Sequence, residues 1–157
     1  MDICIVLGSK SDLPISNKCS AVLEEFNIEH EVRVASAHRA PKYLEEVIDN
    51  AIADGCKVFI GMAGMAAALP GVVASMTTLP VIGVPVVGKV PLDSLLSIVQ
   101  MPPGMPVATV GVDRGDNAAV LAVQMLALSD QELADRFAIW RGEKTAKVIA
   151  DDESLRE

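Results

Sequence analysis

Few residues in this chain could move a proton near neutral pH. Its 157 residues include only two histidines, His30 and His38. His38 stands beside Arg39 in "VASAHRAP" (34–41), where an apolar, strand-like run stops. An imidazole titrates close to neutrality and can give or take a proton. A guanidinium presents a planar fork of donors that matches phosphate or carboxylate. With Ser36 just upstream, the stretch holds the parts of an anion site with an acid–base group beside it. It also reads as a polar surface segment opening the next helix.

Two further stretches carry related chemistry. "GSKSD" (8–12) offers a glycine turn, two hydroxyls and free N–H groups at a helix start, which suit a phosphate or carboxylate. Asp12 could accept hydrogen bonds from ribose hydroxyls. The same residues could be an ordinary cap, with Ser11 as N-cap and Pro14 in the first turn. "GMAGMAAALPG" (61–71) is built of small residues, so a ligand could lie against bare backbone there. Its other reading is close helix–strand packing. Neither GxGxxG nor GxxxxGK[ST] occurs, so dinucleotide and P-loop sites are not expected.

These loops need elements to place them. Runs rich in Val and Ile recur at 3–7, 30–35, 57–62, 80–84 and 106–110, several without polar alternation. That pattern marks strands covered on both faces of a parallel sheet. Helical spacing occupies 13–26, 41–53, 69–76, 92–99 and 117–126, and a charged last helix runs from about 130 to 149. The expected fold is α/β: one domain over 1–157, a three-layer, doubly wound, parallel five-stranded sheet with a C-terminal helix. Such sheets bind ligands beyond the carboxyl ends of their strands, where loops 8–12, 36–41, 61–71 and 85–94 would gather.

Composition narrows the partners. Net charge is -8 and no basic stripe is present, so nucleic acid is not expected. An anionic ligand would need a local cluster of donors. Aromatics are only 3%, too few for stacking platforms. Three widely spaced cysteines, Cys4, Cys19 and Cys56, fall in apolar patterns with no CxxC, which predicts buried thiols in a cytoplasmic protein and no metal site. The N-terminus enters a strand at once, so no signal peptide is expected. Residues 58–88 carry no charge and could span a bilayer by length, but Pro70, Pro80, Pro85 and several glycines interrupt them. A strand, a short helix and a second strand are predicted there, and no membrane partner. The helix at 69–76 has only Ser75 to show to water, so it is expected at or near a subunit contact of a homo-oligomer.

Taken together, "GSKSD", "SAHR", "LPGVVAS", "PVIGVPV", "LDSLLSIVQMPPGMPVATV" and "NAAVLAVQML" resemble the N5-carboxyaminoimidazole ribonucleotide mutase family, from residue 3 to about 141. The resemblance implies a flavodoxin-like sheet, an octamer whose sites draw on more than one subunit, and no metal or organic cofactor. It implies a reaction of de novo purine (IMP) biosynthesis: the substrate's N-carboxylate leaves as carbon dioxide and is recaptured at ring carbon C4. By the same resemblance His38 is the general acid and base. Ser9, Ser11, Asp12, Ser36 and Arg39 bind the ribose phosphate, and Gly64, Ala67 and Leu69 complete the substrate site. One position departs from the pattern. Relatives usually read "AAHLPG", and here the text is "AAALPG", with Ala68 at the histidine position. Carboxylase relatives that take carbon dioxide directly also lack that histidine, but they resemble "SAHK" and lack "SIVQMPPG". Direct carboxylation of the uncarboxylated ribonucleotide therefore stands as an alternative, and a non-catalytic nucleotide-binding subunit as a second one.

Overall fold

The computed structural model describes residues 1–156. Strands β1 (Ile3–Leu7), β2 (His30–Val34), β3 (Val58–Ala63), β4 (Val81–Pro85) and β5 (Ala108–Thr109) form one parallel sheet in the order β2-β1-β3-β4-β5. That is the flavodoxin-like order expected from the sequence. The helices are α1 (Leu13–Glu25), α2 (Pro41–Ala53), α3 (Leu69–Met76), α4 (Pro91–Val99), α5 (Gly115–Ala127) and α6 (Gln131–Ser154). Pro14, Pro41 and Pro70 sit in first turns, where the missing N–H costs nothing and the fixed φ favours the helix. The chain forms two compact units, Met1–Ala122 and Val123–Glu157.

Every residue of β1, β3 and β4 is buried, which is why these strands lack polar alternation. Two expectations are corrected at the sheet edges. β2 is only half-buried, because it has one strand neighbour and carries His30, Glu31 and Arg33. β5 shrinks to two residues, since Pro106 has no N–H to give a ladder, although Val110 N–H still donates to Gly83 O at 3.0 Å. On one face, Cys4, Val6 and Phe59 pack with Leu44, Val47 and Ile48 of α2, Val73 of α3 and Ile98 of α4. α1 meets the sheet through buried Cys19 and Leu23. All three cysteines are free and buried, and burial pushes the thiols of Cys4 and Cys19 up to about 12.

The uncharged stretch folds as β3, α3 and β4, and no helix among the described residues is long and apolar enough to cross a membrane. α3 buries one face, leaves Gly71, Val72 and Met76 partly exposed on the other, and exposes Ser75. Leu69, Pro70, Val73 and Ala74 are buried inside the chain's own first unit, and Val73 is completely covered. A charge placed at Val73 would therefore report on the core, not on assembly. An exposed apolar stripe lies on α4, where Leu92, Leu96 and Val99 recur at i, i+4 and i+7 and are about half-exposed.

Close packing of α3 and α4 depends on two glycines that face each other across the ladder, Gly61 on β3 and Gly83 on β4. A Cβ on Gly61 would lie 3.1 Å from the Pro70 ring. One on Gly83 would overlap Ile98 Cγ2 and approach Val107 Cγ1 to 2.8 Å. Gly83→Ala is expected to cost about 1–3 kcal/mol of stability, the usual penalty for overpacking a core. Urea unfolding measures it, and an unchanged midpoint would contradict the packing described.

Candidate active site

The site begins at the seam between β1 and β3. Their pairing ends with Leu7 opposite Met62, and Gly8 N–H then donates to Met62 O at 3.0 Å. The chain leaves β1 and β3 in adjacent lanes, so residues 8–12 and 63–69 emerge side by side. Strand β2 lies on the other side of β1 and delivers residues 36–39 to the same edge.

The first loop is a short 3-10 turn, Lys10–Asp12, leading into α1. Ser9 caps this turn, and the N-cap position of α1 falls on Asp12 rather than on the expected Ser11. Ser9 Oγ accepts from Ser11 N–H at 3.3 Å, and Asp12 Oδ2 accepts from Ser9 N–H at 3.1 Å, which completes a capping box. Ser11 Oγ donates to Asp12 Oδ1 at 3.2 Å. The second loop is a turn over 37–39 closed by Ala40 N–H on Ser36 O at 2.9 Å. Ser36 Oγ accepts from both the backbone N–H and Nε of Arg39, each at 3.3 Å. The Arg39 guanidinium then reaches across to Gly8 O, donating through NH2 at 2.9 Å. One side chain thus ties the second loop to the first and keeps further N–H groups for a ligand. Among the described residues, no group hydrogen-bonds the His38 ring.

The third loop is held by consecutive tight turns: Ala67 N–H donates to Met65 O at 2.9 Å and Ala68 N–H to Ala66 O at 2.7 Å. Met65 has φ +59° and an exposed side chain.

Together these loops line a cavity of about 590 Å³, within the usual size range of small-molecule sites. All nine residues named from the sequence line it: Ser9, Ser11, Asp12, Ser36, His38, Arg39, Gly64, Ala67 and Leu69. Ala68, singled out as the departure from the family pattern, lines it too, and so do Gly8, Ala37, Ala63, Met65, Ala66, Val86, Val87 and Gly88, which were not singled out. The loop after β4 was placed at this edge by topology, but its Val86–Gly88 wall carries no polar signal that sequence reading could use. The polar lining comes from the first two loops. The third and fourth supply alanine, valine, leucine and methionine.

The family model for AIR carboxylase matches residues 2–147. The chain is 57% identical over 156 residues to the N5-carboxyaminoimidazole ribonucleotide mutase of Methanocaldococcus jannaschii, covering 99% of this chain and 98% of that one. It is 50% identical over 139 residues to the protein of the same name from Pyrococcus abyssi, covering 87% and 80%. The crystal structure of Treponema denticola PurE superposes with a TM-score of 0.91 at 30% identity, covering 99% of this chain and 98% of that one.

Asp12 is 6% exposed. Burial raises its pKa above the ordinary carboxylate value, and Ser11, Ser9 N–H and Arg39 only partly offset this. A carboxyl raised on folding adds stability where it is protonated, below the ordinary range, and that contribution is lost as pH climbs to the raised value. Ionising Asp12 is therefore less favourable in the folded protein than in the unfolded chain. Asp12→Asn keeps an acceptor for Ser9 N–H and removes the charge. Its melting temperature at pH 7 is expected to equal or exceed that of the wild type, with the difference closing in acid. A variant clearly less stable at pH 7 would contradict this.

Proposed function

We propose that this chain, which belongs to the AIR carboxylase family, converts N5-carboxyaminoimidazole ribonucleotide to 4-carboxy-5-aminoimidazole ribonucleotide in purine (IMP) biosynthesis. The observation that carries it is the meeting of His38, Arg39, Ser36 and the Ser9–Asp12 turn in one cavity of a chain so similar to named mutases. We take both compact units as one catalytic domain, since the family match runs through both.

In this reading Arg39, with the hydroxyls of Ser9, Ser11 and Ser36, holds the ribose phosphate, and Asp12 accepts from ribose hydroxyls. Gly64, Ala67 and Leu69 give the base a close, apolar wall. The N–C bond to the migrating carboxylate breaks, carbon dioxide departs, and His38 gives the nitrogen a proton. C4 then attacks the held carbon dioxide, a C–C bond forms, and the C4 proton returns to His38. Atoms and charge balance with no cofactor. Holding carbon dioxide beside C4 replaces a bimolecular encounter with a local one. The alanine- and valine-rich lining keeps water from competing for it.

Ala68 favours a second reading. It puts a methyl group in the lining, and a methyl group cannot bond a carboxylate. Direct carboxylation of aminoimidazole ribonucleotide would use only the second half of the same path, with dissolved carbon dioxide as donor. Loss of activity, leaving a nucleotide-binding subunit, is the third outcome of the assay below. The three buried free thiols suit a reducing, cytoplasmic setting.

We also propose a homo-oligomer, an octamer by family resemblance. The exposed α4 stripe of Leu92, Leu96 and Val99 supports it, and so does half-exposed Val87 in the cavity lining, which a second copy would cover.

The decisive assay compares two substrates on one preparation. Conversion of the N-carboxylated ribonucleotide without added bicarbonate is expected. A rate that follows carbon dioxide, with the uncarboxylated nucleotide alone as substrate, would favour direct carboxylation, and no turnover of either would sink both enzymatic readings. His38→Asn should lower turnover by at least about a hundredfold while sparing nucleotide binding. For assembly, sedimentation should place the wild type well above monomer mass and shift Leu96→Glu downward. A well-folded wild-type monomer would refute the oligomer.

A further inference from the structure

Three non-glycine residues among those described have positive φ: Asn27, Met65 and Asp113. Asn27 follows the last turn of α1, a usual place for such a residue. Met65 lies in the cavity lining. Asp113, at φ +57°, lies outside the lining, in the connection from β5 to α5, and nothing in the reaction above uses it.

Of its two hydrogen bonds, one goes to the last residue of β4 and the other to the β4–α4 loop. Asp113 N–H donates to Pro85 O at 2.8 Å, and Asp113 Oδ1 accepts from Val87 N–H at 2.9 Å. Between those anchors, Val86 N–H donates to Ala63 O at 2.9 Å. Segment 85–87 is therefore gripped from both sides, by the end of β3 and by Asp113, and Val86 and Val87 form part of the cavity wall. Glycine would take φ +57° without strain. What aspartate adds is the acceptor for Val87. The neighbouring Arg114 pairs with Asp116 at 2.8 Å, and among the described residues Asp113 forms no ion pair.

We infer that Asp113 is a positioning residue, whose carboxylate fixes the β4–α4 loop so that Val86–Gly88 form a set wall of the substrate cavity. The role toward substrate rests on the proposed mutase or carboxylase reading; the grip on the loop does not. Strain at Asp113 is then the cost of holding a loop that has little core of its own, since Val87 and Gly88 are exposed.

Two variants separate the side chain from the backbone. Asp113→Gly keeps the left-handed conformation and removes the acceptor. Asp113→Asn keeps both, because asparagine tolerates this conformation and its carbonyl can accept. Hydrogen–deuterium exchange over 85–90, and kcat and KM for the ribonucleotide, are measured on the full chain. In Asp113→Gly, exchange over 85–90 and KM are each expected to rise about three- to tenfold, the scale of one lost hydrogen bond, with the melting temperature nearly unchanged. Asp113→Asn should restore both. Wild-type exchange in Asp113→Gly overturns the grip, and an asparagine variant as impaired as the glycine one overturns the hydrogen-bond explanation. Faster exchange with unchanged kcat and KM overturns the positioning role. A wild type that neither converts nor binds the ribonucleotide overturns the functional reading and the role toward substrate with it, while exchange alone still decides the grip.

Discussion

The pairing of β1 with β3 is the constraint on which the rest depends. Both strands are buried on both faces, so neither can slip without exposing a full row of apolar side chains or leaving ladder groups unpaired. Their register sets Leu7 against Met62, and the backbone then leaves the sheet at Gly8 and Ala63 within one hydrogen bond of each other. Two loops far apart in sequence are thereby fixed at one edge before any side chain of the site is considered. The third, with His38, follows because β2 pairs on the free side of β1.

On that base the site is drawn together by a few polar contacts that span long sequence separations. Arg39 NH2 on Gly8 O joins the second loop to the first across 31 residues, and Asp113 Oδ1 on Val87 N–H joins the last connection to the fourth loop across 26. Each such bond is modest in net energy, about 0.5–1.5 kcal/mol. Their value is geometric, because they hold irregular backbone that has no ladder of its own. Buried Asp12 and the positive φ of Met65 and Asp113 show that the same edge carries local costs which the core must offset.

The division of the lining into polar and apolar loops suits chemistry on carbon dioxide. Donors and hydroxyls belong where a phosphate and a ribose must be held against water. A wall of alanine and valine belongs where a neutral, water-reactive molecule must be kept for one further bond-forming step. Ala68 extends that wall with one more methyl group.

The strand–helix alternation, the three central strands and the first-turn prolines were legible in the sequence, because double-sided burial and helix starts leave local residue patterns. So was the meeting of the "GSKSD", "SAHR" and 63–69 loops, because topology sends all three to one edge of the sheet. What the sequence could not decide depends on partners distant along the chain. Ser11 did not become the N-cap of α1, because a 3-10 turn capped by Ser9, with Asp12 folded back on it, precedes the helix. β5 lost most of its length at the sheet edge, where only one neighbour holds it. The uncharged α3 turned Leu69, Pro70, Val73 and Ala74 into the core, where β3, β4 and α2 meet it, while a more exposed apolar stripe lies on α4, whose sequence looks no more hydrophobic. Asp113 gave no sign at all: its importance lies in a left-handed turn and in a backbone N–H 26 residues away, and only the tertiary structure brings those two together.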